Sequence, residues 1–172
     1  MHPLRLLRQP LPRFLFKNHL KGKDMRIMAL DFGEKNIGVA LSDPLGITAS
    51  GLLTLKRESI KKDLLAIHIL VEKHRVEEVV MGLPLNMDGS KGPKAREAEA
   101  FGRRLKGRVR VPVTFWDERV STVAAERVLL EGDVRRQSRR NVIDKMAAVV
   151  ILQNYLDARQ AREEDTNRKG GQ

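Results

Sequence analysis

The stretch Met25-Arg26-Ile27-Met28-Ala29-Leu30-Asp31-Phe32-Gly33-Glu34-Lys35-Asn36-Ile37-Gly38-Val39-Ala40-Leu41-Ser42-Asp43 decides the architecture. Residues 25–30 (MRIMAL) form a short apolar run that ends at an acid, Asp31, followed by Gly33. That is the pattern of a buried strand delivering a carboxylate at its C-terminal end. Residues 37–41 (IGVAL) read as a second strand, closed by Ser42-Asp43-Pro44, a turn signal. Residues 47–55 read as a third. The connections are too short for a crossover, so these strands pair antiparallel.

Beyond Ser59 the period changes. Ile60, Leu64, Leu65, Ile67, His68, Leu70 and Val71 fall at helical spacing, with Ser59 placed as N-cap. A strand follows over residues 76–81, stopped by Gly82-Leu83-Pro84, then a helix over 95–105 with Gly92-Pro93 near its start. A fifth strand over 111–116 leads into Asp117-Glu118-Arg119. Ser121 caps a helix through Leu130 that Gly132 ends. A last helix opens at Ser138 or Arg139 and runs to about Leu156. The order βββαβαβαα predicts an α/β protein with one five-stranded mixed sheet and helices on its faces. The sequence contains no internal repeat.

The 172 residues are enough for one domain with modest tails, and 41% hydrophobic with 32% charged residues is a globular composition. The chain is expected to divide into a basic, poorly ordered extension (1–24), one domain (25–158) and a charged, frayed C-terminal tail (159–172). Cysteine is absent, which excludes disulfides and thiolate metal sites and fits a reducing, cytoplasmic setting. The net charge of +11 favours a polyanionic partner, nucleic acid before anionic membrane. No apolar run approaches the roughly eighteen residues of a membrane span, so no membrane is expected. Residues 1–24 hold Arg5, Arg8, Arg13, Lys17, Lys21 and Lys23 against Asp24 alone, a net of +5 that leaves +6 for the remainder. This segment shares an Arg-rich, acid-poor composition with transit peptides but has no Ser, and the strand pattern beginning at Met25 marks that residue as an ancestral start.

Three acids stand out by placement. Asp31 ends the first strand and Glu118 follows the last. Asp144 sits in the second turn of a helix otherwise dominated by Val142, Ile143, Met146, Ala147, Ala148, Val149, Val150, Ile151 and Leu152. A carboxylate on so apolar a helix is costly unless paired or bound to metal. Asp144 alone is explained equally by pairing with Arg139 or Arg140, and Asp31 or Glu118 alone by a turn or cap. Together, carboxylates gathered at one end of a sheet form a hard-oxygen cage for Mg²⁺ or Mn²⁺. A two-ion site of this kind activates water and stabilises the leaving oxygen of a phosphodiester, with no histidine needed. Strand alternation separates Asp117 from Glu118 onto opposite faces, but geometry at a strand end breaks such alternation, so the choice between them stays open.

Other motifs carry less. Residues 33–38 (GEKNIG) join two strands and lack the Lys-Ser/Thr ending of a phosphate loop, and Asp31-Phe32-Gly33 stands without the other parts of a kinase. The polar loop over 82–92 is either plain surface or a place where Asn86, Ser90 and Lys91 meet phosphate oxygens. Two basic clusters remain. Arg103, Arg104, Lys106, Arg108 and Arg110 read as a solvated face. Arg135, Arg136, Arg139 and Arg140 lead directly into the helix bearing Asp144 and are expected to grip backbone. Aromatic residues at 4% argue against recognition by base stacking.

Four motifs, in order, resemble the YqgF/RuvX family: residues 29–43, residues 82–90 (GLPLNMDGS), Asp117-Glu118-Arg119, and Ile143-Asp144-Lys145-Met146-Ala147-Ala148 running into residues 151–156 (ILQNYL). The resemblance spans roughly residues 25–158. It implies an RNase H-like fold, a bacterial cytoplasmic protein, and a metal-dependent nuclease with Asp31, Glu118 and Asp144 at the family's acidic positions. It also implies a role in 5′-end processing of pre-16S ribosomal RNA in ribosome biogenesis, or Holliday-junction resolution. Lys35 and Arg119 lie inside these motifs and join the expected nucleic-acid contacts. Asn36 and Asn141 stand where the family often has Arg and Lys, which removes two phosphate contacts and leaves room for a nucleic-acid-binding assembly factor that does not cut. An ATP-handling relative of the actin–sugar kinase fold lacks its second domain here. Charge serves pre-rRNA and branched DNA equally, and a junction resolvase would be a homodimer where end trimming needs only a monomer.

Overall fold

The computed structural model describes residues 26–119 and 139–169, with the side chains of the last segment described from Lys145 to Arg168. The elements run β1 (Arg26–Phe32), β2 (Asn36–Ser42), β3 (Ala49–Lys56), α1 (Ile60–Lys73), β4 (Val76–Leu83), α2 (Pro93–Lys106), β5 (Val113–Asp117) and α3 (Arg139–Lys169). The helix expected through Leu130, together with Arg135 and Arg136, lies outside the described residues.

One five-stranded sheet has the order β3-β2-β1-β4-β5. The short turns make β1–β2 and β2–β3 antiparallel, as their lengths require. The crossovers through α1 and α2 make β1–β4 and β4–β5 parallel. Consequently β1, β4 and β5 all end on the same edge of the sheet.

Alternation along β1 sorts the core into two layers. Met28 and Leu30 face α1 and α2, where Ile67, Leu70, Val71, Phe101 and Leu105 pack on them. Ile27 and Ala29 face α3, whose Ala148, Val149, Ile151, Leu152 and Leu156 cover them with Ala40 and Val80. The two faces differ in side-chain size. Small residues in Ala29 and Ala40 let α3 lie close to the sheet, and Gly102 does the same for α2, since a Cβ there would meet the Phe115 ring at 2.6 Å. Ser59 caps α1, its hydroxyl accepting the Lys62 N–H.

The sheet-facing residues of α3 reach both flanks of β1 and β2. Lys145 lies against Gly51, and Gln153 receives the Ala49 N–H at 3.0 Å while donating to the Ile47 carbonyl at 3.0 Å. On the other flank the Tyr155 hydroxyl donates to Glu78 at 2.6 Å, and its ring meets Trp116 edge-on at 5.4 Å. The helix does not stop near Leu156 as its apolar pattern predicts. It continues through the segment read as a frayed tail, with exposed side chains from residue 161 and an Arg159–Glu163 pair one turn apart. Among the described residues, no helix is long and apolar enough to cross a membrane.

Candidate active site

The carboxyl ends of β1, β4 and β5 set the site. Asp31 follows Ile27 and Ala29 in the alternation and so belongs to the α3 side of the sheet. Gly82 follows Val80 on β4, and Glu118 follows Thr114 and Trp116 on β5. The alternation survives the end of β5 because the Glu118 N–H still donates to the Leu83 carbonyl at 3.3 Å, as in a continued ladder. Asp31 and Glu118 therefore lie on one face, with Gly82 on the strand between them. A Cβ on Gly82 would collide with the Glu118 carboxylate and come within 2.5 Å of Ile151 Cδ1. The missing side chain makes room for the glutamate beneath α3.

Electrostatics separates the two adjacent acids after β5. Burial, then the negative charges of Asp31 and Asp117, push the Glu118 carboxyl up to about 7. No donor among the described residues reaches its oxygens. Asp117 has the opposite setting. Arg119 donates to both its oxygens, the shortest contact 2.6 Å, and holds it below the ordinary carboxylate range. Asp117 is thus the partner of an arginine, whereas Glu118 faces another carboxylate.

Asp144 belongs to the second turn of α3, seven residues ahead of Ile151 and four ahead of Ala148 in the chain. Its side chain lies outside the described residues. Among the described side chains no three acids or histidines converge on one point.

The expected nucleic-acid contacts fare differently. Lys35 is exposed in the β1–β2 turn. Asn86 donates to the Ser90 hydroxyl at 2.8 Å, and Ser90 donates to Asp88 through both N–H and hydroxyl, so these two side chains build their own loop. Gly89 turns that loop at φ +85°, where a glycine is favoured. Lys91 is paired with Glu99 at 2.8 Å. Arg119 bridges Asp117 and the Met87 carbonyl (3.1 Å), tying the loop to the end of β5. Arg139 and Arg140 open α3, with side chains outside the described residues.

Sequence reasoning passed over a brace beneath Asp31. The Arg57 guanidinium sits 4.2 Å over the Phe32 ring and donates to the carbonyls of Gly33 (3.0 Å) and Glu34 (3.2 Å). Asp63, only 5% exposed, receives Arg57 at 3.5 Å and the Glu58 N–H at 3.1 Å. The turn it supports is tight, with the Gly33 N–H donating to Asn36 O at 2.9 Å and no space for a Cβ on Gly33. The signal in the sequence was an acid on the buried face of α1, which demands a partner. Gly82 reads in the sequence as the stop of a strand, whereas β4 runs through it to Leu83, and a glycine inside a strand marks the close approach of another group.

A carboxylate pair at the parallel end of a β3-β2-β1-β4-β5 sheet, under a long C-terminal helix, defines an RNase H-like protein. T. thermophilus RuvC, solved in complex with a Holliday junction substrate, superimposes with a TM-score of 0.50 at 18% identity, covering 79% of this chain and 96% of that one. The chain belongs to the RuvX family, described as Holliday junction resolvase, whose model matches residues 25–158. A Moorella thermoacetica protein named "Putative pre-16S rRNA nuclease" is 59% identical over 133 residues, 77% of this chain and 95% of that protein. One of the same name from Syntrophomonas wolfei is 56% identical over 133 residues, covering 77% of this chain and 94% of its own length.

Proposed function

We propose that this chain is a divalent-metal-dependent nuclease that hydrolyses phosphodiester bonds in structured nucleic acid, with 5′-end processing of pre-16S rRNA as its task. The observation that carries this reading is the Asp31–Glu118 pair, two carboxylates on one face with burial and mutual repulsion working against the ionised state of Glu118. Such a pair is a poor structural element and a good cation site, because a divalent ion removes the repulsion. The donor set is all oxygen, which fits Mg²⁺ or Mn²⁺ and not a soft metal. The names borne by relatives 56–59% identical to this chain direct the reading to pre-16S rRNA.

Asp31, Glu118 and Asp144 would hold the ions, and metal at such a site supplies an activated water and charge stabilisation at the leaving oxygen. The protein's own contribution is positional. Gly82 leaves Glu118 its space, the Arg57–Asp63 brace fixes the turn after Asp31, and Arg119 holds the loop over 82–92 against the site. Lys35, exposed in the β1–β2 turn, would meet substrate phosphate. Junction cleavage is the second reading, favoured by the description of the family model.

The test is cleavage of a pre-16S rRNA 5′ fragment and of a four-way DNA junction with Mn²⁺ or Mg²⁺, using wild type, Asp31→Asn, Glu118→Gln and Asp144→Asn. Metal-stimulated cleavage of the RNA, lost in all three variants with folding retained, is expected. Junction cleavage without RNA cleavage would transfer the assignment to resolution. Undiminished activity in the variants would overturn the site.

A further inference from the structure

The cluster Arg103, Arg104, Lys106, Arg108 and Arg110 reads in the sequence as a solvated face, and the structure gives it more definite form. All five are exposed on the last turn of α2 and the turn that follows. The turn is built and not loose. Leu105 and Val109 anchor it in the core, and the N–H groups of Arg108 and Val109 donate to Leu105 O at 2.8 and 2.9 Å. Arg103 is paired with Glu99, while Arg104, Lys106, Arg108 and Arg110 have no ion-pair partner among the described residues.

Cations at a helix C-terminus are ordinarily explained by the helix dipole. That explanation fails for this helix as a whole. The first turn of α2 contains no acid and carries Lys94 and Arg96, both exposed, at the end where positive charge is unfavourable. Arg96 donates to the Lys91 carbonyl at 3.1 Å and exposed Glu97 follows it, whereas Arg104, Lys106, Arg108 and Arg110 have no such ion-pair partner among the described residues. Its N-terminus adjoins the loop over 82–92 at the carboxylate end of the sheet, and its C-terminus reaches the opposite edge, about 21 Å away at 1.5 Å per residue. At that far edge Lys73 and Arg26 add their charge, and with burial they hold His74 below the ordinary imidazole range. Glu72 and Glu77 are the exposed acids there.

We propose that the outer face of α2 and the turn over 107–110 form a track for the phosphate backbone of the substrate, running about 21 Å along α2 away from the carboxylate end of the sheet. The track rests on the nuclease reading above. A span of that length corresponds to about six base pairs of B-form DNA at 3.4 Å per pair and to somewhat more in the shorter-rise A-form RNA, so the track serves long structured substrates and not short ones. Contacts of this kind position nucleic acid without reading sequence.

The experiment measures binding in metal-free buffer, with duplex RNA of about 5 and about 25 base pairs, across a salt series. The variant R104Q/K106Q/R108Q/R110Q is compared with K61Q/K62Q/R162Q/R168Q, which removes the same charge elsewhere. On the long duplex the track variant should bind about 10–100-fold more weakly. Its slope of log K against log salt should be shallower by about 2–4, at roughly 0.7–0.9 for each phosphate that is no longer neutralised. The control variant should match wild type. Equal binding and slope for the track variant and wild type on the long duplex would overturn the track while leaving the nuclease reading intact. Loss of binding to phosphatidylserine vesicles with RNA binding unchanged would reassign the face to membrane and also overturn it. A wild type that binds neither duplex would overturn the track, and the nuclease reading falls with it only if metal-stimulated cleavage is absent too.

Discussion

Two glutamates at opposite ends of the parallel strands differ in how the protein meets their charge. Glu78, near the start of β4, is 18% exposed and fully occupied. The Thr114 hydroxyl donates to it at 2.7 Å, the Tyr155 hydroxyl at 2.6 Å and Arg159 at 3.4 Å, so one carboxylate joins β4, β5 and α3. Burial and that bond in turn push the Tyr155 hydroxyl up to about 12. Glu118, just past the far end of β5, is also half-buried under α3, yet it faces Asp31 and has no donor among the described residues. One end of the sheet spends its acid on cohesion. The other brings two acids together so that the ionised state of Glu118 is disfavoured, a penalty that a cation would relieve.

The largest expected effect of breaking this contrast is on catalysis. Asp31→Asn and Glu118→Gln should each lower metal-dependent cleavage by more than the roughly hundredfold lost when a group that merely orients a ligand is changed. Glu78→Gln should leave turnover per folded molecule nearly intact. A comparable loss of turnover in all three would erase the distinction.

Stability should move in opposite directions at the two ends. With a folded value of about 7 against an ordinary 4.5, Glu118 keeps its proton in the folded state over a range where the unfolded chain has lost it. Stability of the metal-free protein therefore falls as pH rises from about 4.5 to about 7, and the full penalty persists above that. Glu118→Gln should remove it, raising stability at pH 8 by on the order of 2 kcal/mol. Glu78→Gln weakens three charge-assisted bonds and should lower stability by about 1.5–3 kcal/mol. Denaturant melts at pH 5 and pH 8 read both effects, and a Glu118→Gln protein less stable than wild type at pH 8 would contradict the sign.

Smaller effects on function sharpen the geometry. Gly82→Ala should displace the Glu118 carboxylate and cost about tenfold in cleavage, since a shift of about 1 Å at reacting groups costs on that scale or more. Arg57→Met loses the cation over Phe32, the two carbonyl hydrogen bonds and the ion pair with buried Asp63, and should weaken metal affinity several-fold through the Asp31 turn while lowering stability by about 3–5 kcal/mol. Unchanged metal affinity would make the brace purely structural.

Much of this was legible in the sequence. The antiparallel strands, the two crossovers and the placement of Asp31 followed from apolar period and linker length, because those features are local. Which of Asp117 and Glu118 shares a face with Asp31 was not legible, since that depends on a backbone bond from Glu118 to Leu83 that carries the alternation past the strand. Arg57 escaped notice because its partners at Phe32 and Gly33 are joined to it only by the turn of the sheet. The end of α3 was misjudged because its last turns bury nothing, and the apolar period used to find helices vanishes while the helix continues. Asp144 stands on placement in α3 and on the family motif.

The proposed site depends on Asp31 and Glu118 lying on one face, an arrangement that suits a shared divalent cation. Titrating Mn²⁺ into wild type and Glu118→Gln at pH 8, followed by calorimetry, tests this without any substrate. Wild type should bind saturably, and the variant should bind at least about tenfold more weakly, a difference of roughly 1.4 kcal/mol. Equal affinity in the two proteins would show that the pair holds no shared ion.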